Sequence, residues 1–390
     1  MSLLDKDAMQ ESLNKYVQRT DNNPERIERF KYFYQLAREK GVVSFRYARI
    51  AEEYTDDYFA DTGIPQSEKD WYYNRGIPTF KTGWYGLNKQ NYNDYISDFD
   101  FYSPSNYLNK SQVIKWFDYK LTTYYILSPF REYMPHHFFF LNNGELAPIG
   151  STPNKYSTIE DALSIIQNGP VALKACSGGH GKGFYKIETK DGQYKINNIA
   201  SEEKDVRALL LSLDDYLFTE YSTPHKAFRH ACGENSYAVL RVVSVFDKDG
   251  GPQITGIMIR LGTSGTGIVT DYDGCINCGV DLQTGQLFNP LMRTGDSEGI
   301  IKRIPIKNHP DTGVDMETII VPEFAKLKAM VKRIAAHLAV TPYLVIDIIP
   351  TDMGLDILEI NSHGQVRIVE PFYPFRKNKY NLRVFQTKDW

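Results

Sequence analysis

The chain has 390 residues, 42% of them hydrophobic, with 45 basic and 48 acidic side chains and a formal net charge of −3. That composition excludes a disordered chain, and the length suits two or three domains, or one bilobed enzyme, rather than a single core. With no basic excess and no long like-charge run, it also argues against a nucleic-acid groove and a charged tail.

The opening "MSLLDKDAMQESLNKYVQRT" lacks the apolar core of a signal peptide. No apolar stretch approaches the about 20 residues a membrane span needs, so a cytoplasmic protein is expected. The four cysteines are too sparse for a disulfide framework. Cys275 and Cys278 form a lone C-x-x-C in "DGCINCG". A zinc site needs a second pair, so small residues in a turn are preferred to a metal or redox role.

In chain order, residues 1 to about 55 read as helical. "NPERIERFKYFYQLAREKG" places Ile27, Phe30, Phe33, Leu36 and Ala37 at helical spacing, with Gly41 as a stop. Residues 56–105 are rich in Tyr, Trp, Phe, Asn and Asp without clean periodicity. They read as a packed irregular segment, with a sugar-binding surface as the alternative. "SQVIKWFDYKLTTYYILSPF" predicts one helix, capped by Ser111 and ended by Pro129, followed by a buried strand "HHFFFL". "STIEDALSIIQNG" predicts a short helix with Ser157 and Glu160 as its capping box.

Next come a strand "VALKAC", a loop "SGGHGKG", a hairpin about Asp191-Gly192, a helix "RALLLSL" and a strand "YLFTEYS". Two strands in "SYAVLRVVSVFDKDGGPQITGIMIRLG" precede the clearest helix, "VPEFAKLKAMVKRIAAHLAV", with Pro322 at its start. "YLVIDII" and "LDILEIN" form a last hairpin about Asp352-Met353-Gly354.

That hairpin carries the strongest chemical signal. Side chains alternate along a strand, so Glu359 and Asn361 face one side. Asp347 lies about as far before the turn as Glu359 lies after it. Two carboxylates and one amide oxygen then converge, a hard-oxygen set suited to Mg²⁺. The apolar flanks imply a mostly buried sheet, where unpaired charges would cost several kcal/mol.

Lys174 ends an apolar strand and precedes a loop with Gly178, Gly179, Gly181 and Gly183. Glycines let backbone N–H groups approach phosphate oxygens, although a hairpin turn also explains some of them. The loop is not a Walker A motif, since no Gly-Lys-Ser/Thr opens a helix. Glu220 ends a third apolar strand and could meet a polar atom of a nucleotide.

These three pieces, in this order, resemble the ATP-grasp superfamily from about residue 110 to 370. A closer resemblance is to the sugar-transfer-associated ATP-grasp proteins of bacterial polysaccharide loci. It rests on "ENSYAVLRVVSVF", "GIMIRLGTSGTGIVTDYDGCINCGVDLQTGQL" and "DIIPTDMGLDILEINSHGQ". The resemblance implies an α+β chain of the ATP-grasp fold, two α+β lobes gripping ATP behind an N-terminal helical, aromatic-rich region. The implied divisions are 1–105 for that region, 106–169 for a segment before the grasp, 170–222 for the small lobe and 223–390 for the large one.

It also implies residue roles. Lys174 and Lys120 would meet phosphate, under a loop of Gly178, Gly179, His180, Gly181, Lys182 and Gly183. Glu220 and Tyr221 would lie at the adenine. Asp347, Glu359 and Asn361 would hold one or two Mg²⁺ ions. Arg241 and Arg260 would serve the γ-phosphate or a developing acyl phosphate, with ordinary ion pairs as the alternative. His363 would touch phosphate or cap the turn.

The implied reaction joins a small-molecule or saccharide carboxylate to an amine at the expense of ATP, in surface polysaccharide or natural-product synthesis. The alternatives are a kinase of a sugar or other hydroxyl compound, and a non-catalytic nucleotide-binding partner of a glycosyltransferase. The oligomeric state is not legible.

Overall fold

The computed structural model describes residues 3–386 apart from 21, 151–156, 179–182, 235, 264–273 and 296–300. They gather into two compact units. One takes Met1–Leu108, Arg293–Ile304 and Val366–Trp390; the other takes Asn109–Met292 and Pro305–Gln365.

The first unit starts with α1 (Leu3–Arg19), α2 (Pro24–Glu39) and α3 (Tyr47–Phe59). Asn23 caps α2, its side chain accepting from the N–H of Glu25. The aromatic stretch then folds into short helices α4 (Gln66–Tyr73), α5 (Phe80–Tyr85) and α6 (Asp98–Phe101). Its rings mostly build core: Tyr73 and Phe99 are fully buried and pack with the equally buried Phe33 of α2 and Tyr54 of α3, edge-to-face or tilted.

Beneath them lies a buried ionic cluster. Arg367 donates to Glu53 (2.7 Å) and Asp98 (2.6 Å). Asp98 also accepts from Lys81 (3.1 Å), whose ammonium stands 4.0 Å from Glu370. Burial pushes the Glu370 carboxyl up to about 7. A carboxyl raised in the folded state retains its proton where the unfolded chain has lost it, so stability falls as pH rises toward 7. Urea unfolding followed by tryptophan fluorescence is expected to show the first unit stabler at pH 5.5 than at pH 8, by roughly 1–3 kcal/mol. Glu370→Gln is expected to flatten the difference; an unchanged slope in that variant would assign it elsewhere.

The second unit opens with α7 (Ser111–Asp118) and α8 (Lys120–Ile126). The sequence predicts one helix here, and the structure corrects it. Tyr119 is extended (φ −123°, ψ 111°) and forms a backbone bridge to Ser177. The Lys120 N–H donates to the Cys176 carbonyl (3.0 Å), and the Tyr119 hydroxyl donates to Asp215. Pairing with the strand end has drawn residue 119 out of the helix. Lys110, not Ser111, holds the cap position of α7.

Two antiparallel sheets follow. The first contains β1 (His137–Asn142), β2 (Glu145–Pro148), β3 (Val171–Ala175), β4 (Tyr185–Lys190), β5 (Gln193–Ile196), β6 (Ile199–Ser201) and β7 (Tyr216–Glu220), in the order β2-β1-β7-β3-β4-β5-β6. Its apolar face packs on α9 (Ile159–Asn168) and α10 (Glu203–Ser212). The capping box of α9 is Thr158 with Asp161, one residue beyond the expected pair. Asp191 (φ 53°) and Gly192 (φ 77°) make the expected tight β4–β5 turn.

After α11 (Lys226–Cys232) the larger sheet runs through β8 (Ala238–Asp247), β9 (Gly251–Leu261), β10 (Ile276–Val280) and β11 (Leu287–Gly295). The chain passes through β12 (Ile301–Pro305) to α12 (Phe324–His337), β13 (Tyr343–Thr351), β14 (Gly354–Asn361) and a final α13 (Lys379–Val384). The strand order is β12-β11-β10-β9-β8-β13-β14. Leu327, Val331 and Ile334 of α12 pack on Leu240, Val242, Ile257, Ile259 and Ile346. Glu323, in a left-handed conformation, holds the N-cap position of α12 without a side-chain cap bond, and Pro322 lies two residues before the first helical residue rather than at the start. All four cysteines are free and buried, and Cys278 is part of this core on a strand rather than in a turn. No helix is long and apolar enough to cross a membrane.

Candidate functional site

The face of the large sheet opposite α12 carries polar groups in one line. Register determines this. Asn277 on β10 lies across from Arg260 on β9, and Arg260 lies across from Val239 on β8. Arg241, two residues beyond Val239, lies across from Asp347 on β13, which lies across from Glu359 on β14. Directly opposed residues share a face, as do residues two apart on one strand. Asn277, Arg260, Arg241, Asp347, Glu359 and Asn361 therefore line up across five strands.

One irregularity sets this line. From the turn, Thr351 pairs with Gly354 and Ile348 with Ile357, so an unbroken ladder would put Asp347 opposite Leu358. A one-residue bulge at Leu358 brings Glu359 opposite Asp347 instead. The same bulge shifts the alternation, so Asp356, which simple counting puts on the other face from Glu359, joins it. Leu358 packs with Tyr237, Val239 and Ile349 at the edge of the polar line.

Beyond β14 the backbone turns under tight control. The Asn109 side-chain N–H₂ donates to the carbonyls of Tyr343 (3.0 Å) and Ser362 (2.5 Å). The Tyr343 hydroxyl donates to the Gly364 carbonyl (2.6 Å). A Cβ at Gly364 would stand 2.7 Å from that of Val345, so only glycine fits. His363 sits edge-on to the Tyr343 ring, with centroids 6.0 Å apart.

The two lysines lie outside this sheet. Lys174 lies on β3 opposite Leu217, and Lys120 starts α8, its ammonium donating to the Gly178 carbonyl (3.1 Å). Lys120, Lys174, His137 and Glu359 line one narrow cavity of about 20 Å³, roughly the room of a single water. Burial pushes the Lys174 ammonium down to about 8, with Asp356 and Glu359 opposing the shift and Lys120 adding to it. His137 is pushed down to about 3 by burial and is neutral. Its Nδ1 lies 2.8 Å from the Pro135 carbonyl, which can only accept, so the proton is on Nδ1 and Nε2 is an acceptor.

Arg241 grips Asp347 with two parallel bonds, Nε to Oδ1 (2.9 Å) and Nη2 to Oδ2 (2.8 Å). Glu359 is pushed up by burial and by the neighbouring Asp347 charge, and no described residue donates a hydrogen bond to it. The buried side-chain nitrogen of Asn361 has no hydrogen-bond partner among the described residues. These groups fit a divalent cation. The oxygens of Asp347 retain unused lone pairs, no described residue donates a hydrogen bond to Glu359, and Asn361 adds a carboxamide on the same face. Among the described residues no three His, Cys, Asp or Glu groups are arranged as a metal centre. Two carboxylates match an ion that completes its shell with water and phosphate.

Glu220 is at the exposed end of β7, its N–H donating to the His136 carbonyl (2.8 Å). Tyr221 follows, its N–H donating to the Pro170 carbonyl and its ring under the Lys186 ammonium at 4.9 Å. Burial, with the Glu188 charge, pushes the Tyr221 hydroxyl up to about 12. Gly178 and Gly183 flank the glycine-rich loop. Gly179, His180, Gly181 and Lys182 lie outside the described residues.

Sequence reasoning missed four residues of this region. Asp356 was hidden by the bulge and Asn277 by its place inside the C-x-x-C. His137 and Asn109 carry no motif at all.

The family described as sugar-transfer associated ATP-grasp matches residues 101–371. No curated protein matches. Among solved structures, an N5-carboxyaminoimidazole ribonucleotide synthetase in its ADP complex is 12% identical, over 66% of this chain and 48% of its own, with a TM-score of 0.38. The D-alanine–D-alanine ligase of Bacillus anthracis is 14% identical, over 63% and 56%, with a TM-score of 0.32. A RimK domain ATP-grasp protein of Sphaerobacter thermophilus is 12% identical, over 65% and 62%, with a TM-score of 0.33. The chain spans about half the length of the first of these structures.

Proposed function

Because the chain belongs to the sugar-transfer-associated ATP-grasp family and has its α+β fold, we propose that it is an ATP- and Mg²⁺-dependent ligase joining a carboxylate to an amine. The observation that carries this reading is the opposition of Asp347 and Glu359 on one sheet face, with Lys120 and Lys174 beside Glu359.

Each residue then has a task. Lys174 and Lys120 neutralise phosphate oxygens, with the backbone N–H groups of the glycine-rich loop as further donors to them. Glu220 and Tyr221 border the adenine. Asp347, Glu359 and Asn361 would hold Mg²⁺, which when bound would supply positive charge to neutralise phosphate oxygens. Arg241 holds and aims the Asp347 carboxylate through its two parallel bonds. Its Nη1, which no described residue takes, is left for an oxyanion, and Arg260 lies diagonally across on the same face.

In that setting a substrate carboxylate oxygen attacks the γ-phosphorus while the bond to ADP breaks. The amine nitrogen then attacks the acyl carbon, phosphate leaves, and the nitrogen loses a proton. Alignment and charge neutralisation do the work, and no protein nucleophile is required. The family's description supports a role beside sugar transfer, in which the acid is a uronic acid or similar group of a surface polysaccharide.

The test is ADP and phosphate release from Mg-ATP with a panel of amino acids, amines and uronic acids, with product masses read alongside. Release that needs both an acid and an amine, with a mass gain of condensation, is expected. A phosphate-sized gain on a hydroxyl compound would replace the ligase by a kinase, and silence across the panel would favour the non-catalytic partner.

Lys174 yields a pH prediction. Phosphate binding favours its ammonium, which the free protein loses above about 8. ADP affinity by calorimetry is expected to fall as pH rises from 7 to 9.5, with proton uptake at the upper end. Lys174→Arg should flatten the profile, and Lys174→Ala should weaken binding throughout. A flat profile in the parent chain would mean that another lysine meets the phosphates.

A further inference from the structure

We propose that a cavity within the first unit is a saccharide-binding site. It measures about 890 Å³, within the about 300–1,000 Å³ of ligand pockets. It shares no residue with the nucleotide site proposed above and stands independently of that reading.

Part of the wall is aromatic. Phe59, Phe80 and Trp84 reach the cavity and are only partly buried, unlike Tyr54, Tyr73 and Phe99 of the core. The aromatic excess of residues 56–105 is thus divided between a core and a lining. The lining rings are held in place. Asp57 accepts from the N–H groups of Thr79 (2.5 Å) and Phe80 (2.9 Å) at the start of α5. Phe80 and Trp84 lie 4.5 Å apart between centroids. The buried Arg303 guanidinium sits 4.6 Å from the Trp84 ring, and that of Arg367 sits 5.7 Å from the Phe80 ring. A platform ordered before the ligand arrives loses little entropy on binding.

The polar part of the wall is balanced. Four guanidinia (Arg26, Arg49, Arg303, Arg367) meet four carboxylates (Glu53, Asp56, Asp57, Asp61). No net positive charge is offered, which disfavours a phosphate or a polyanion. A ligand that donates and accepts in equal measure without net charge fits better, and sugar hydroxyls do both. Polar valences remain for them. Arg49 is bonded through Nε to Glu53 (2.6 Å), and no described residue takes its Nη groups. Asp56 accepts from Tyr16 and Arg26 at Oδ1, and Oδ2 accepts from no described residue. Both side chains are 58% exposed. The C–H faces of sugar rings pack on aromatic carbon while their hydroxyls reach such groups.

The experiment is a glycan array probed with the full-length chain, followed by calorimetry with the glycans that bind. The parent chain is expected to bind a subset of uncharged glycans, with little dependence on salt. Arg49→Ala removes an exposed side chain and should keep the parent's melting temperature. It is expected to weaken binding roughly ten- to hundredfold, and Trp84→Ala at least as much. An array without signal would overturn the proposal. So would glycan binding unaltered in Arg49→Ala, or signal confined to sulfated and phosphorylated spots and lost in salt.

Discussion

Glu359→Gln is expected to abolish ADP formation, by roughly 10²–10³-fold or more, while the chain stays folded. Glutamine keeps the shape and removes the charge that would hold the cation. The structure loses little by the change, because no described residue donates to this carboxylate. Its pKa is raised by burial first and by Asp347 second. In a raised carboxyl the folded state holds a proton the unfolded chain has released, so its ionisation at neutral pH opposes folding. The variant should melt at the parent's temperature or above it. Turnover near the parent's rate would end the assignment of Glu359 to the metal. Loss of turnover together with unfolding would show that the carboxylate supports the sheet instead.

Arg367→Met should give the largest loss of stability. Arg367 bridges Glu53 and Asp98, whose side chains are 16% and 4% exposed. Burial pushes the Asp98 carboxyl up, but Arg367 and Lys81 together outweigh it and hold it below the usual carboxylate range. Without the guanidinium, Glu53 keeps its ion pair with Arg49, and Asp98 keeps Lys81 and the Tyr54 hydroxyl. Breaking a buried pair by removing one partner leaves an uncompensated charge, at a cost of about 3–5 kcal/mol. Urea unfolding of the variant should show that loss. It should deepen as pH rises, because Asp98 then ionises without its main partner. A change below about 1 kcal/mol would mean that the cluster contributes no more than surface ion pairs do.

Local pattern made much of the second unit legible. The hairpin about residues 352–354, the amphipathic helix 324–337 and the placing of Lys174 at a strand end all follow from alternation, from helical period and from turn chemistry. These signals are local because the residues concerned are neighbours in sequence. The capping box missed by one residue, since Ser157-Glu160 and Thr158-Asp161 satisfy the same spacing and only the observed hydrogen bonds choose between them.

What the sequence by itself determined, then, is the set of elements of the second unit and the chemical character of the site: two carboxylates, a carboxamide and strand-borne lysine. The tertiary structure decided where those groups meet. The bulge at Leu358, not simple counting, put Glu359 on the face shared by Asp347 and Asp356. The bridge from Tyr119 to Ser177 split a helix whose propensity ran through it. Arg241 found Asp347, 106 residues away, through sheet register. Residues 293–304 and 366–390 joined the first 108 to form one unit. Each of these depends on contacts between residues far apart in the chain, whose free energy outweighs local preference and leaves no periodic trace in the sequence.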